Sequence, residues 1–217
     1  MVAFAILAVV LTSVLVLFQQ TLNLQTSVKN RVVALYLAQE GLEGIRQIRD
    51  SNWLEFSGDK RHHWLEGINN ADAYYEFDYD LDTQKYTAVL SSIQTPLLFT
   101  ATDFAANTSN YAPFQLYKAS DLDEGLFTLN PQDSGGDDNT RTPFYRQIQI
   151  QVHNPYEALV DNGTLGNLPG FCDGDDDTCN AAQITVTARV GWESGDNNME
   201  QVLLETQLFD YLGRNEY

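Results

Sequence analysis

Cys172 and Cys179 are the only two cysteines among the 217 residues, and they stand in the stretch FCDGDDDTC. No other cysteine or histidine lies near enough to complete a metal site with them. As a bonded pair they close a small polar loop and indicate an oxidising compartment. As free thiols they would fit a reducing one. The bonded reading is preferred, and closing so small a loop contributes about 2–3 kcal/mol through the unfolded state. Asp173, Asp175 and Asp177 lie between the cysteines. Their alternate-residue oxygens are placed as at the start of a calcium loop, so Ca2+ is the one candidate cofactor. The glycine at the sixth position and the closing glutamate of such a loop are missing, and the rival reading is a solvated acidic turn. Gly135-Gly136-Asp137-Asp138-Asn139 is a second, weaker candidate.

The remaining chemistry is sparse. His62, His63 and His153 lack zinc-site spacing and read as surface histidines. No nucleophile elbow, phosphate-cradling glycine loop or zinc-protease helix motif occurs, so the chain reads as a non-enzyme. Asn107-Thr108-Ser109 and Asn162-Gly163-Thr164 fit a glycosylation sequon, a pattern that also arises by chance in Asn-rich loops.

Charge divides the chain in two. The net charge is −18. Residues 1–50 hold four basic and three acidic groups, so the other 167 carry a net charge of −19. A body that acidic repels phosphate and excludes non-specific nucleic-acid binding. It also repels anionic headgroups, so any membrane attachment must be hydrophobic.

The apolar end supplies that attachment. Met1 to Phe18 reads MVAFAILAVVLTSVLVLF, and the first charge is Lys29. About 20 apolar residues cross a bilayer. A signal peptide would show a basic start and a small-residue cleavage site, and neither is present. Thr12 and Ser13 can bond back to their own helix. No Pro or Gly occurs before Gly41, so one helix is expected from about Val2 to about Asp50, roughly 70 Å long. In its second half Val28, Val32, Leu35, Ala38, Leu42, Ile45 and Ile48 form the expected buried face. Lys29, Arg31, Glu40, Glu43, Arg46 and Arg49 form the expected outer face. Gly41 and Gly44 each weaken the helix by about 1 kcal/mol against Ala, and suit close packing.

The blocks AFAILAVVLTSVLVLFQQTL (Ala3–Leu22) and NRVVALYLAQEGLEGIRQIRDSNW (Asn30–Trp53) resemble the type IV pilin-like family of pilins, minor pilins and type II secretion pseudopilins. RQIQIQV, ITVTARVGW and VLLETQLFDY resemble the closing strands of such a head. The family's basic leader, Gly–Phe cleavage point and early glutamate are not in the chain. A truncated start or an internal Met taken as the initiator would leave an in-frame segment carrying them just upstream of the Met1 codon, which is the expectation; the alternative is a subunit that lacks the glutamate. Lys29 and Arg31 alone would put the body in the cytoplasm by the positive-inside rule. The resemblance implies the reverse, with the head outside, and the cysteine reading agrees. It also implies partners: other pilin-like subunits, and the inner membrane before assembly. Some pseudopilins bind calcium in a C-terminal loop, which bears on the Asp173 cluster.

The acidic body reads as strands and loops. Ala73–Asp80, with Lys85–Leu90 as its partner, and a hairpin of Pro113–Lys118 with Gly125–Leu129 come first. In Arg146–Val152 the isoleucines face one way and Gln147, Gln149 and Gln151 the other. Ile184–Val190 and Val202–Leu208 alternate in the same way, with a turn at Gly195–Asn198. These predict an antiparallel sheet with one face buried, covered by the amphipathic half of the helix. The fold class is α+β: a stem over 1–28, and a head over 29–217 in which helix 29–52 packs on a β-meander over 73–217. The stretches Thr95–Ala112, Asn130–Thr142 and Asn154–Asn180 are expected to be outer loops.

The functional reading is a structural subunit of a pilus-like filament or secretion pseudopilus. Phe4, Ile6, Leu7, Val10, Leu11, Val14, Leu15, Leu17 and Phe18 would form its assembly stem. The alternative is a membrane-anchored binding module that does not polymerise. Mass spectrometry of unreduced protein from its native compartment should recover Cys172 and Cys179 linked within one peptide. Two freely alkylated thiols would contradict a head outside the cytoplasm.

Overall fold

The computed structural model describes residues 2–56, 68, 73–80, 85–118, 127–129, 141–153, 183–194 and 198–209. Helix α1 runs unbroken over Val2–Phe56, about 82 Å at 1.5 Å per residue. It continues six residues, nearly two turns, past the expected end at Asp50, because nothing before Phe56 interrupts the helical hydrogen bonds.

Strands β1 (Ala73–Asp80) and β2 (Lys85–Leu90) form an antiparallel pair from Tyr75↔Leu90 to Asp80↔Lys85. Two short helices follow, α2 (Ala101–Ala106) and α3 (Thr108–Tyr111), with a 3-10 turn at Ala112–Phe114. Then come β3 (Gln115–Lys118), β4 (Phe127–Thr128), β5 (Arg141–His153), β6 (Gln183–Ser194) and β7 (Asn198–Phe209). Every pairing is antiparallel. The fold class is therefore α+β, as the alternation predicts.

Strand β5 is the spine of the sheet. Along one edge its C-terminal half pairs with β1, through Ala73↔Ile150 and Tyr75↔Ile148. Its N-terminal half pairs on that same edge with β3, through Gln115↔Tyr145 and Tyr117↔Arg141. Its other edge pairs with β6 from Phe144↔Trp192 to His153↔Gln183, and β6 pairs with β7. Ile148, Ile150, Ile184, Val186, Ala188 and Val190 have no exposed surface and form the main core with α1.

The helix meets the sheet along Ala34, Leu37, Ala38, Leu42 and Ile45. That corrects the expected face. Val28 and Val32 are exposed, and burial against the core begins at Val33, half-buried, and Ala34, fully buried. The small residues decide the rotation, because they let the helix approach closely. A Cβ on Gly41 would lie 2.7 Å from Ile148 Cδ1, and one on Gly44 would lie 1.8 Å from Phe77 Cζ. Glu40 and Arg49, expected outside, turn inward: Arg49 is buried and Glu40 half-buried.

The sheet is also buried on its second face, contrary to the one-sided expectation. Gln147, Thr185 and Thr187 are buried there. The stretch Thr95–Ala112, expected as an outer loop, packs a second core of Leu97, Phe99, Tyr111, Phe114 and Tyr145. Gln147 holds it as a substitute strand partner, accepting from Leu97 N at 3.0 Å and donating to Thr95 O at 3.0 Å. Phe99 adopts φ 46°, a strained value for a non-glycine residue. Its ring occupies the space a side chain on Gly191 would fill: a Cβ there would lie 2.0 Å from Phe99 Cδ1.

Gly44→Ala tests the close approach, because propensity and packing have opposite signs there. Alanine improves the helix by about 1 kcal/mol. However, Phe77 is fully buried and stacked on Tyr86 at 5.0 Å, so it cannot yield freely. The full chain in detergent should lose about 1–3 kcal/mol in equilibrium unfolding. A variant as stable as the parent would refute the packing.

Candidate functional site

Between Val2 and Phe18 stand twelve large apolar side chains, each more than half exposed. They include all nine expected stem residues: Phe4, Ile6, Leu7, Val10, Leu11, Val14, Leu15, Leu17 and Phe18. None of this stretch touches the head, and the helix is long and apolar enough to cross a membrane. A soluble monomer rarely exposes a contiguous apolar patch of more than a few hundred Å².

Local chemistry suits this stretch to lipid. A helix satisfies its own backbone groups, as a bilayer demands. The few hydroxyls do likewise. Thr12 Oγ1 donates to Val9 O at 2.9 Å, Ser13 Oγ to Val9 O at 2.8 Å and Thr21 Oγ1 to Leu17 O at 2.9 Å. No charge occurs before Lys29.

The stem is fixed to the head by polar contacts as well as by the small-residue stripe. Arg146, on β5, has no exposed surface. Its Nη1 lies 3.2 Å from Glu40 Oε2 on α1 and its Nη2 donates to Phe77 O on β1 at 3.0 Å. The guanidinium carbon also stands 5.2 Å from the centre of the Phe77 ring. One side chain thus joins helix, central strand and neighbouring strand. Arg46 Nη2 donates to Thr206 Oγ1 on β7 at 3.0 Å, and Ser27 Oγ donates to Glu200 Oε1 at 3.4 Å. The sequence carried a signal for Arg146 that was not used. It shares strand parity with Ile148 and Ile150, so it had to point into the core.

The second face holds a polar and aromatic cluster. Tyr111 Oη donates to Asp103 Oδ2 at 2.5 Å, and burial together with that carboxylate pushes the phenol above its ordinary value. Burial also raises Tyr145, whose hydroxyl accepts from Arg141 Nη2 at 3.3 Å and donates to Glu193 Oε1 at 3.2 Å. Phenols shifted upward stay protonated near neutral pH and act as donors, not bases. The cluster therefore ties the 91–114 segment to the sheet. Asn107 of the first sequon is exposed at the α2–α3 junction, and its side chain donates to Asp103 Oδ1 at 2.9 Å.

Among the described residues, no group of three His, Cys, Asp or Glu side chains could hold a metal ion. Cys172, Cys179, Asp173, Asp175, Asp177, the Gly135–Asn139 stretch, His62, His63 and Asn162 lie outside the described residues. His153 is described, with Nε2 2.7 Å from Thr185 Oγ1. Comparison with protein-family models, curated proteins and solved structures gave no match.

Breaking the Arg146 junction should be costly. Arg146→Met leaves Glu40 facing an apolar site, and should destabilise the full chain in detergent by about 3–5 kcal/mol. Adding Glu40→Leu should recover most of that loss. A single variant within about 1 kcal/mol of the parent in urea unfolding would show that the pair does not hold stem to head.

Proposed function

We propose that the chain is a structural subunit of the type IV pilin-like kind, and that its role is assembly, not catalysis. The observation that carries this reading is the stiffness of α1. One uninterrupted helix passes from an exposed apolar stem into a face buried against the sheet. An anchor for an independent binding domain needs no fixed relation between its two parts, and a flexible linker would serve it. Here the relation is set at every turn.

In this reading the stem sits in the cytoplasmic membrane with the head outside. It then leaves lipid for a bundle of stems from other pilin-like subunits, forming an extracellular filament or periplasmic pseudopilus. The acidic head forms the coat. Lipid and a bundle of apolar stems are similar solvents for leucine and valine, so the transfer has no large apolar cost. The competing reading keeps the stem in the bilayer as an anchor for a binding or adhesion domain.

Val10 tests the choice, because it lies in the middle of the apolar stretch at 56% exposure. Val10→Asp places a carboxylate in lipid at roughly 2.5–3.5 kcal/mol on insertion scales. In a bundle the charge has no partner. The variant should be missing from assemblies while its head remains folded by circular dichroism. Normal incorporation would reject the stem as the polymerising element. A parent chain that stays dispersed in the membrane would favour the anchored module.

A further inference from the structure

The apolar surface of the stem promotes contact without direction, and its exposed amides, Gln19, Gln20 and Gln25, carry no charge. Register must come from polar groups, and the exposed side of α1 has them in a segregated order. From Val2 to Gln39 the helix carries two cations, Lys29 and Arg31, and no anion. From Glu40 to Phe56 it carries four anions and two cations. Lys29, Tyr36, Glu43 and Asp50 recur every seven residues and are all exposed. Seven residues are close to two turns, so these four lie along one line of the helix. Val28 and Val32 are exposed beside that line and, with Tyr36 on it, continue the apolar surface of the stem. Among the described residues, Lys29 and Arg31 form no ion pair. Glu43 pairs with Arg46, and Asp50 with Arg49 at 2.8 Å. Those two arginines lean toward β7 and the core, Arg46 through Thr206 and Arg49 through its burial, so both carboxylates stay on the outer line.

We infer that this line is a docking surface for a second copy of the chain, and that its charge order sets a stagger between neighbours. The inference rests on the subunit reading above. Copies anchored in one membrane with heads on one side are parallel. In register, Lys29 would face Lys29 and Glu43 would face Glu43, and like charges repel. Displacing one copy by fourteen residues brings its Lys29 level with Glu43 of the other; displacing it by twenty-one brings Lys29 level with Asp50. The stagger is therefore about 20–30 Å. That distance approaches the ~30 Å hydrocarbon thickness. The upper stem of a staggered pair has thus largely left the lipid, and Val28, Val32 and Tyr36 of its neighbour lie where they can cover it.

Zero-length carbodiimide coupling of the full chain in its native membrane and assemblies tests this directly. Within one helix Lys29 and Glu43 are about 21 Å apart, so they cannot be joined inside a single copy. A coupled Lys29–Glu43 or Lys29–Asp50 peptide must therefore come from two copies, and its recovery is the expected result. Assemblies in which Lys29 couples to neither carboxylate would overturn the stagger. As a second arm, Lys29→Glu with Arg31→Glu should lower the assembled fraction about tenfold. Adding Glu43→Lys and Asp50→Lys to the same chain should restore it. Reversal without effect, or without rescue in a chain whose head is folded, would also overturn the stagger. If the reversal instead weakens insertion into vesicles of anionic lipid and leaves assembly unchanged, the cations serve headgroups and the inference is wrong. If the parent chain forms no assemblies, the subunit reading fails and takes the stagger with it. If the parent assembles and the reversed chain does so equally, only the stagger fails.

Discussion

A guanidinium with no exposed surface is the junction on which the head depends. Arg146 is held by a carboxylate from α1 and by a carbonyl from β1, while its own backbone belongs to the central strand. Burying that charge without partners would cost several kcal/mol, so the three elements must arrive together. β1 is hydrogen-bonded to β5 only as far as Tyr75↔Ile148. Beyond that point the strands part, and the freed carbonyl of Phe77 is taken by Arg146 instead of a ladder partner. The opening between β1 and β3 is thereby filled by a side chain able to satisfy a backbone group. The aromatic ring of Phe77 then lies between the guanidinium and Gly44, which explains why that helical position has no room for a Cβ.

A sheet clamped on one face by a helix that projects far beyond it needs stiffness on its other face. The 91–114 segment provides it. Gln147 offers the segment both halves of an amide, as a strand would, and Gln94 repeats the device against Tyr74. Gln115 binds the carbonyls of Thr142 and Phe144 on β5. Glutamines in these places are structural, because an amide side chain can pair with backbone that is irregular and buried. The Phe99 ring then seats over Gly191, at the cost of a strained φ that its aromatic neighbour Tyr111, itself packed on Phe104, helps to hold in place.

What was legible in the sequence follows from period and length. The run without Pro or Gly announced α1, and strict alternation announced β5, β6 and β7 with their inward faces. Those signals are local, so one chain suffices to read them. The rotation of α1 was not legible from apolar spacing. Val28, Val32, Ala34, Leu35, Leu37 and Ala38 permit two overlapping faces, and the contact went to the smaller residues because backbone approach outweighs side-chain area there. The second core was missed for a different reason. Leu97, Phe99, Tyr111 and Phe114 are scattered among Thr, Asn, Ser and Ala without a regular period, and only the finished sheet gives them a surface to share. The outward glutamines of β5 looked like a solvated face because polarity alone does not distinguish water from a buried amide partner.

The stem presents a problem of solvent that the head cannot solve. Twelve large apolar side chains stand clear of the sheet. Full burial of each is worth about 1.5–3 kcal/mol, so leaving them in water would cost far more than a domain's net stability. Some other phase must receive them, either lipid or like helices. Between those two the apolar term nearly cancels, and what remains is packing, hydrogen bonding and charge. The stem itself offers little of these, since its hydroxyls are already bonded to their own backbone. Its exposed amides, Gln19, Gln20 and Gln25, carry no charge; the charged groups begin only at Lys29, and the junction at Arg146 ties that part of the helix to the head. A helix held so firmly at Glu40 carries any displacement of the head into an equal displacement of the stem, whose tip is about 57 Å away. Rigidity at the junction and an uncharged stem are therefore complementary: the stem follows wherever the head is placed.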